Sequence, residues 1–548
     1  MGLISLKGSL ALCGRLVWAV AVVVGCVGTT VAAPVRLKVE QRVNPLGIDV
    51  KRPVLSWQSD STERNWKQTA YEIRVSSTTA GLGRGRPDVW DSGKIASSES
   101  VGIPYGGPDL KSRQRYYWTV EVWDGEGRSS LAPIPGWWET GLLEASDWSA
   151  KWIHREDKES ARELREAKVI GSAAAKLAKA SQPSKVAFRY QLHLEEKPFS
   201  ASLHIFSPGR FVTRVNGAVT GHKAEWIAFD REDILDKLRY GKGAAGDNII
   251  TVDVDSQNVR KDELPLPATL TAVLRVDERA GERKAIVTDS RWQVSDNGGW
   301  VAAKELGSIG ELPLETAPIG PPMTIPARID SEASLLRKEF PAQSGVVSAR
   351  LYVTALGSYR MSLNGHRVGD DVLTPGFTDF RKRALYQTYD VTSLVSSTSG
   401  NVLAAMLGAG WHGSPMMWLG ARLFPGPDML LAQLELRYAD GTRKTIVTDG
   451  SWRASRAPIR ASEIYAGEVY DARLANAAWR TGVETGTGWS AAVIGDAPTG
   501  LEISAQPDRP VHRTETIRPV SVKMVGGDAV FDMGQNMVGV ARLHVHGP

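Results

Sequence analysis

The chain has 548 residues with 42% hydrophobic and 23% charged side chains, a balance that excludes a largely disordered or membrane-embedded polypeptide and suggests three to five domains. Its formal charge of +5 comes from 66 basic and 61 acidic residues interleaved along the whole length. No basic stripe forms, so nucleic acid is excluded as the expected partner.

Residues 1–33 read as a secretory signal. Lys7 and Arg15 precede the apolar run Leu16 to Val24, and the small residues Val31, Ala32 and Ala33 follow. The run is too short for a spanning helix, and no later stretch reaches the ~18 to 20 apolar residues that a span needs. Export to the periplasm or the extracellular space is the expectation. Both cysteines, Cys13 and Cys26, fall inside this segment, so a chain cleaved near Ala33 has no disulfide. Val23-Val24-Gly25-Cys26 also resembles a lipobox, and a membrane anchor is expected only if Cys26 is lipidated.

Residues 35–143 are predicted to form a small β-sandwich of fibronectin type III size. Val54 to Trp57, Tyr71 to Val75, Val89 to Trp90 and Tyr116 to Trp123 read as short strands separated by turns such as Asp124-Gly125 and Gly106-Gly107. In the last strand Trp118, Val120 and Val122 share one face while Tyr117, Thr119, Glu121 and Trp123 share the other, the period of a half-buried strand.

Residues 144–320 are predicted as a second β-domain carrying an insertion between Glu156 and Lys185. That stretch is rich in Glu, Lys, Arg and Ala, and Ala161, Leu164 and Ala167 make only a weak apolar stripe. It reads as a surface helix or linker outside any core.

From Val186 onward the sequence repeats itself. RFVTRVNG at Arg210–Gly217 matches SYRMSLNG at Ser358–Gly365, and IVTDSRW at Ile286–Trp292 matches IVTDGSW at Ile446–Trp452. Between these anchors Asp247-Asn248 corresponds to Gly400-Asn401, and the spacing between copies grows along the chain. One ancestral sandwich, doubled and then lengthened in the loops of its second copy, explains this order. The second copy spans 325–480, after the Pro- and Gly-rich linker Ile319-Gly320-Pro321-Pro322. Residues 481–548 begin a further β-domain whose strand candidates, Ala529 to Met533 and Val540 to Val545, cannot make a core alone.

Few chemical motifs appear. Gly408-Ala409-Gly410-Trp411-His412-Gly413 fits G-x-G-x-x-G, but Ser414-Pro415 follows it and no nucleotide-facing helix is expected, so it reads as a glycine-rich turn on a sandwich edge. His544 and His546 share a strand face without a third ligand. Asp370 and Asp371, near Asp379 in a turn-rich stretch, offer oxygens that a calcium ion could take, the alternative being solvated loop carboxylates. Trp137, Trp138, Trp411 and Trp418 could stack on sugar rings or fill cores. Glycosidases use two carboxyls about 5 Å apart when retaining or ~6.5 to 9.5 Å apart when inverting, and spacing singles out no such pair here.

Several strings resemble the bacterial α-L-rhamnosidases of glycoside hydrolase family 78. Pro45-Leu46-Gly47-Ile48-Asp49, PVLSW at Pro53–Trp57, Trp90-Asp91-Ser92-Gly93 and YYWTVEVWD at Tyr116–Asp124 are similar to the fibronectin-like domain of the family. DWSAKWI at Asp147–Ile153 resembles the junction after it. LNGHRVGDDVLTPGFTDF at Leu363–Phe380, YDVTSLV at Tyr389–Val395, GAGWHG and SEIYAGEVYDAR at Ser462–Arg473 resemble its N-terminal jelly-roll domain, and FDMGQNMVGVARLHVHGP at Phe531–Pro548 resembles the start of a concanavalin-like domain.

The resemblance implies an all-β chain of multi-domain β-sandwiches: a fibronectin type III-like domain, two jelly-roll domains and the start of a concanavalin-like domain. It implies hydrolysis of terminal α-L-rhamnose from a glycoside or polysaccharide with inversion. The acidic residues of such enzymes lie on an (α/α)₆ barrel, expected after Pro548, so no catalytic residue is assigned here. Some members bind rhamnose through calcium on a jelly-roll domain, which makes Trp411, Asp370 and Asp371 the candidate carbohydrate contacts and Asp370 and Asp371 the candidate calcium ligands. No other cofactor is implied. The competing expectations are a rhamnose-binding protein without turnover and an adhesive envelope protein.

Overall fold

The computed structural model describes residues 32–544 apart from 84–85, 178–183, 208–209, 224–227, 257–266, 280–281, 312–330, 415–422, 425, 466 and 483–487. Residues 1–31 of the signal segment, with Cys13 and Cys26, the linker at 319–322, Trp418 and His546 lie outside the described residues. Strands dominate, and the α-helices among the described residues are Thr79–Gly83, Lys158–Glu166 and Gly410–Gly413. The chain is all-β.

Two compact units arise from the order of contacts along the chain. The first takes residues 32–43, 54–108 and 116–137. Strand Val54–Asp60 pairs antiparallel with Ala33–Val39 and Ile103–Pro104, while Gln68–Ser76 pairs with Arg115–Asp124, Trp90–Asp91 and Ile95–Ala96. The alternation read in the sequence holds where it matters: Trp118, Val120 and Val122 are fully buried, and Thr119 is buried with them. Trp57 stands edge-on to Tyr71 at 5.3 Å and donates its indole N–H to Gln68 at 3.1 Å, so the large ring is buried without an orphaned donor.

The second unit comprises residues 44–53, 109–115 and 138 onward and contains two successive sandwiches. In the first sandwich a six-stranded sheet runs Ala218–Lys223, Arg210–Val215, Asp247–Asp255, Lys185–His193, Gln293–Ser295 and Val301–Ala302. It shares a core with the sheet Ala228–Asp233, Ser200–Ser207, Thr271–Arg279 and Glu282–Val287. In the second sandwich His366–Arg367, Ser358–Leu363, Asn401–Gly408, Ser334–Phe340, Arg453–Arg456 and Ser490–Ala491 take the equivalent order. The facing sheet is built on Arg383–Asp390, Val346–Leu356, Met429–Tyr438 and Arg443–Val447.

The repeat extends to individual hydrogen bonds. Asn216 and Asn364 both sit at positive φ, 54° and 53°, before glycines at 83° and 81°, the backbone that a tight two-residue hairpin turn requires. Asn216 donates to Lys237 O and Asn248 Oδ1, both at 2.9 Å, and Asn364 donates to Leu394 O at 2.9 Å and Asn401 Oδ1 at 2.8 Å. The indoles of Trp292 and Trp452 donate to Val287 O and Val447 O, five residues back in each copy.

Three expectations need correction. The stretch after Glu156 is not a surface insertion: helix Lys158–Glu166, capped by Asp157 at 3.1 Å from Ser160 N, buries Ser160 and Glu163, and strand Lys168–Gly171 pairs with Lys304–Ser308 and buries Val169 and Ile170 completely. Its inward side joins the buried Glu163 charge to Leu164 and Ala167, which pack with Val273 and Val287. The glycine run at 408–413 is one turn of helix rather than an edge turn, and Gly410 is required there because a Cβ would lie 2.6 Å from Ser358 N at a φ of 52°. Near the C-terminal end Ser521–Val525 and Asp528–Asp532 form a hairpin, whereas the described residues 540–544 carry no strand.

Candidate functional site at one end of the second sandwich

Trp411 is carried by the one-turn helix Gly410–Gly413 that follows strand Asn401–Gly408. Two further aromatic rings reach it from separate loops. Phe377 lies 5.8 Å from the indole at 75°, and Tyr465 lies 6.0 Å away at 73°, so both stand nearly perpendicular to it. Phe377 is 52% exposed and Tyr465 is 42% exposed, while Trp411 is half-buried. An exposed cluster of rings is unusual because isolated burial would stabilise each by ~1.5 to 3 kcal/mol.

The layer beneath fixes the rings. Phe380 and Phe424 pack edge to face at 5.2 Å, and the buried His412 stacks on Phe424 at 5.9 Å with 10° between planes while its Nδ1 meets Asp428 at 3.3 Å. Ile464 N–H donates to Ser414 Oγ at 3.0 Å, tying the Tyr465 loop to the Trp411 helix. Lys382 and Arg383 N–H both donate to Asp379 O, at 2.8 and 2.9 Å, which closes the loop carrying Phe377.

Asp370 and Asp371 have different surroundings. Asp370 is exposed. Asp371 is half-buried and accepts from the Tyr389 hydroxyl at 2.8 Å. Tyr389 meets the Tyr359 hydroxyl at 3.4 Å, Tyr359 donates to Gln387, and Gln387 donates to Gln506 at 2.6 Å. Burial pushes both phenols far above the usual tyrosine range, so they stay protonated and act as donors. Asp379 pairs with Arg381 at 2.8 and 2.9 Å. Among the described residues no three His, Cys, Asp or Glu side chains converge on a point where a metal could sit. Among the described residues Asp370 and Asp371 thus gain no third carboxylate or imidazole ligand, and no step below is built through calcium.

Sequence reasoning singled out Trp411 but not its ring neighbours Phe377 and Tyr465. Both lie in the strings LTPGFTDF and SEIYAGEVYDAR, which carried the resemblance, but their exposure depends on which loops meet at the sandwich end. Of the other tryptophans, Trp138 is fully buried and serves a core.

Comparison with known proteins fits this architecture. The α-L-rhamnosidase N-terminal domain family matches residues 344–515, and the Rha78A-like N-terminal immunoglobulin domain family matches residues 34–144. An α-L-rhamnosidase of Streptomyces avermitilis is 38% identical over 534 residues, covering 93% of this chain and 49% of that protein. One from Formosa agariphila is 26% identical, covering 92% of this chain and 37% of its own length. The chain thus spans about half or less of the curated relatives it matches. The crystal structure of the Streptomyces avermitilis α-L-rhamnosidase complexed with L-rhamnose superposes with a TM-score of 0.73 at 36% identity, over 92% of this chain and 49% of that one. Residues 344–515 thus match the α-L-rhamnosidase N-terminal domain and residues 34–144 the Rha78A-like N-terminal immunoglobulin domain, within a chain that is similar to α-L-rhamnosidases over more than nine-tenths of its length.

Proposed function

We propose that this chain is the N-terminal portion of an exported α-L-rhamnosidase that removes terminal α-L-rhamnose from a glycoside or polysaccharide with inversion at the anomeric carbon. The observation that carries the reading is the likeness across 93% of the chain to an α-L-rhamnosidase. Inversion needs one carboxyl to protonate the leaving oxygen and a second, ~6.5 to 9.5 Å away, to activate water. Three deeply buried carboxylates are matched to guanidiniums: Glu163 to Arg275, Asp277 to Arg283 and Glu332 to Arg460. Such pairs brace a fold. We expect the acid and the base downstream of Pro548, as the resemblance implies, where proton transfer between carboxyls and water is the chemistry required.

The test is hydrolysis of an aryl α-L-rhamnoside followed by proton NMR. Release of the β-anomer by a polypeptide extended beyond Pro548, with no turnover by residues 1–548, is expected. Turnover by the 548-residue chain alone would overturn the placement of the carboxyls, and initial release of the α-anomer would overturn inversion.

A further inference from the structure

We propose that Arg360, Arg367, Arg480 and Arg513 form a binding site for a doubly charged oxyanion, a sulfate or phosphate group, on the outer face of the second sandwich. Strand Ser358–Leu363 sends Tyr359, Met361 and Leu363 into the core, so the alternation of a strand turns Arg360 and Ser362 outward. Arg367 stands directly across from Ser362 in the hairpin, on the same face. Arg480 ends the short helical turn Ala478–Arg480, whose Trp479 packs on Val402 and Ala404, and Ala404 is the strand partner of Ser362. The next residue, Thr481, lies so close to Gly365 that a Cβ there would fall 2.5 Å from its methyl carbon. Arg513 arrives on a third segment. Val372 N–H donates to Val511 O at 2.7 Å, and His512 forms a β-bridge with Asp371 in the stretch that follows strand His366–Arg367.

Three features favour a ligand over an ordinary solvated basic surface. The first is the lack of counter-charge. Among the described residues the side chains of Arg360, Arg480 and Arg513 make no ion pair and no hydrogen bond, and Arg367 donates to a backbone carbonyl, Asp371 O. The guanidiniums of Arg283, Arg456 and Arg460, by contrast, converge on Glu332. The second is unmet donors shielded from water. Arg480 Nε and Ser362 Oγ are both buried without a hydrogen-bond partner, and Ser362 is 4% exposed. Buried donors are ordinarily paired, and an N–H and a hydroxyl on one face suit the oxygens of an oxyanion. The third is repulsion. Burial, then the charges of Arg367, Arg480 and Arg513, hold the Arg360 guanidinium below its ordinary value, and Glu468 is the one strong neighbour that opposes them. Four cations beside one carboxylate leave an excess that a single negative charge does not neutralise, which selects a dianion. The arginine fork matches sulfate and phosphate oxygens in pairs.

The experiment is isothermal titration of residues 1–548 with sodium sulfate, at constant ionic strength set with chloride, on the parent and on Arg360→Gln, Arg480→Gln and Arg513→Gln. Each is also unfolded thermally in chloride alone. The parent is expected to bind sulfate, and Arg360→Gln and Arg480→Gln to lose about tenfold or more in affinity, the worth of a charge-assisted hydrogen bond. Arg360 is exposed and repelled by its neighbours, so Arg360→Gln should unfold in chloride at no lower a temperature than the parent. The proposal is overturned if the parent binds no sulfate under these conditions, if acetate binds as tightly as sulfate, or if all three variants bind like the parent. A lower unfolding temperature for Arg360→Gln in chloride overturns it too, because the guanidinium then holds the fold rather than a ligand. Inorganic phosphate and glucose 6-phosphate separate the two sources of the group. Tighter binding of the ester assigns the site to a phosphate or sulfate carried on a saccharide, and tighter binding of the inorganic ion assigns it to the free anion; either result, lost in Arg360→Gln, supports the site.

Discussion

Arg275 donates from Nε and Nη2 to a single carboxylate oxygen of Glu163, at 2.8 and 2.6 Å, with both side chains at most 2% exposed. The pair ties helix Lys158–Glu166 to the first sandwich. Burial raises the Glu163 carboxyl above its ordinary value, and the Arg275 charge opposes this without cancelling it. The other Glu163 oxygen, Oε1, has no hydrogen-bond partner. Removing one member leaves an uncompensated buried charge, so Arg275→Met should destabilise by about 3 to 5 kcal/mol. Replacing both, as Glu163→Leu with Arg275→Met, should cost clearly less than either single change. Urea unfolding of the three variants measures the difference; additive losses would show that the charges do not act as a pair.

Glu332 governs a second buried cluster. Burial by itself would raise its carboxyl, but the guanidiniums of Arg460, Arg283, Arg456 and Arg155 outweigh burial and hold it well below the ordinary 4.5. Arg283 belongs to the first sandwich, whereas Arg456 and Arg460 belong to the second, so one carboxylate joins them at 3.1, 3.5 and 2.8 Å. A depressed carboxyl contributes stability that is present above the unfolded value and is lost as pH falls through the folded one. Glu332→Gln should therefore be less stable at pH 7, and its stability should change less than the parent's as pH falls below about 4.5. Chemical denaturation at pH 7 and under acid conditions tests both parts.

His204 acts in a different pH window. It is fully buried, and burial together with Arg275, Arg231 and Arg283 keeps its imidazole well below the ordinary 6.5. Between those values the unfolded chain binds a proton that the folded chain refuses, so stability rises with pH there and falls as pH drops below about 6.5. His204→Gln should flatten the stability profile just below pH 6.5 while leaving the lower Glu332 window in place. An unchanged slope in that range would sink the assignment.

These networks explain what the sequence left hidden. Strand Arg115–Asp124 is legible because burial writes a period of two into Trp118, Val120 and Val122, and the repeat is legible because Asn-Gly and Thr-Asp recur at matching places. The burial of helix Lys158–Glu166 is not, since the groups it buries include Glu163 and Ser160, which meet Arg275 from 112 residues or more away. The same holds at the sandwich end. Trp411 stands out by residue type, but Phe377 and Tyr465 become neighbours only when three loops meet, and Asp371 looks free until the Tyr389 hydroxyl, 18 residues on, is placed against it.

The doubled sandwich makes a quantitative prediction of its own. Asn216 and Asn364 each hold a positive φ, donate two hydrogen bonds, and accept one through Oδ1, from Ile249 N–H at 3.0 Å and Val402 N–H at 2.8 Å. Alanine keeps none of the three bonds and pays ~1 to 2 kcal/mol for the left-handed backbone. Each lost bond adds about 1 kcal/mol, partly offset by water at the exposed partners. Asn216→Ala and Asn364→Ala should each destabilise their sandwich by about 2 to 4 kcal/mol and by similar amounts, because the local chemistry is the same in both copies. Native-state hydrogen exchange resolves the two, since protection should fall in strands Arg210–Val215 and Asp247–Asp255 for the first variant and in Ser358–Leu363 and Asn401–Gly408 for the second. A loss confined to the turn itself would mean that the asparagine ties only its own hairpin and not the neighbouring strand, and the shared hydrogen bonds would then be an inherited geometry without a shared energetic role.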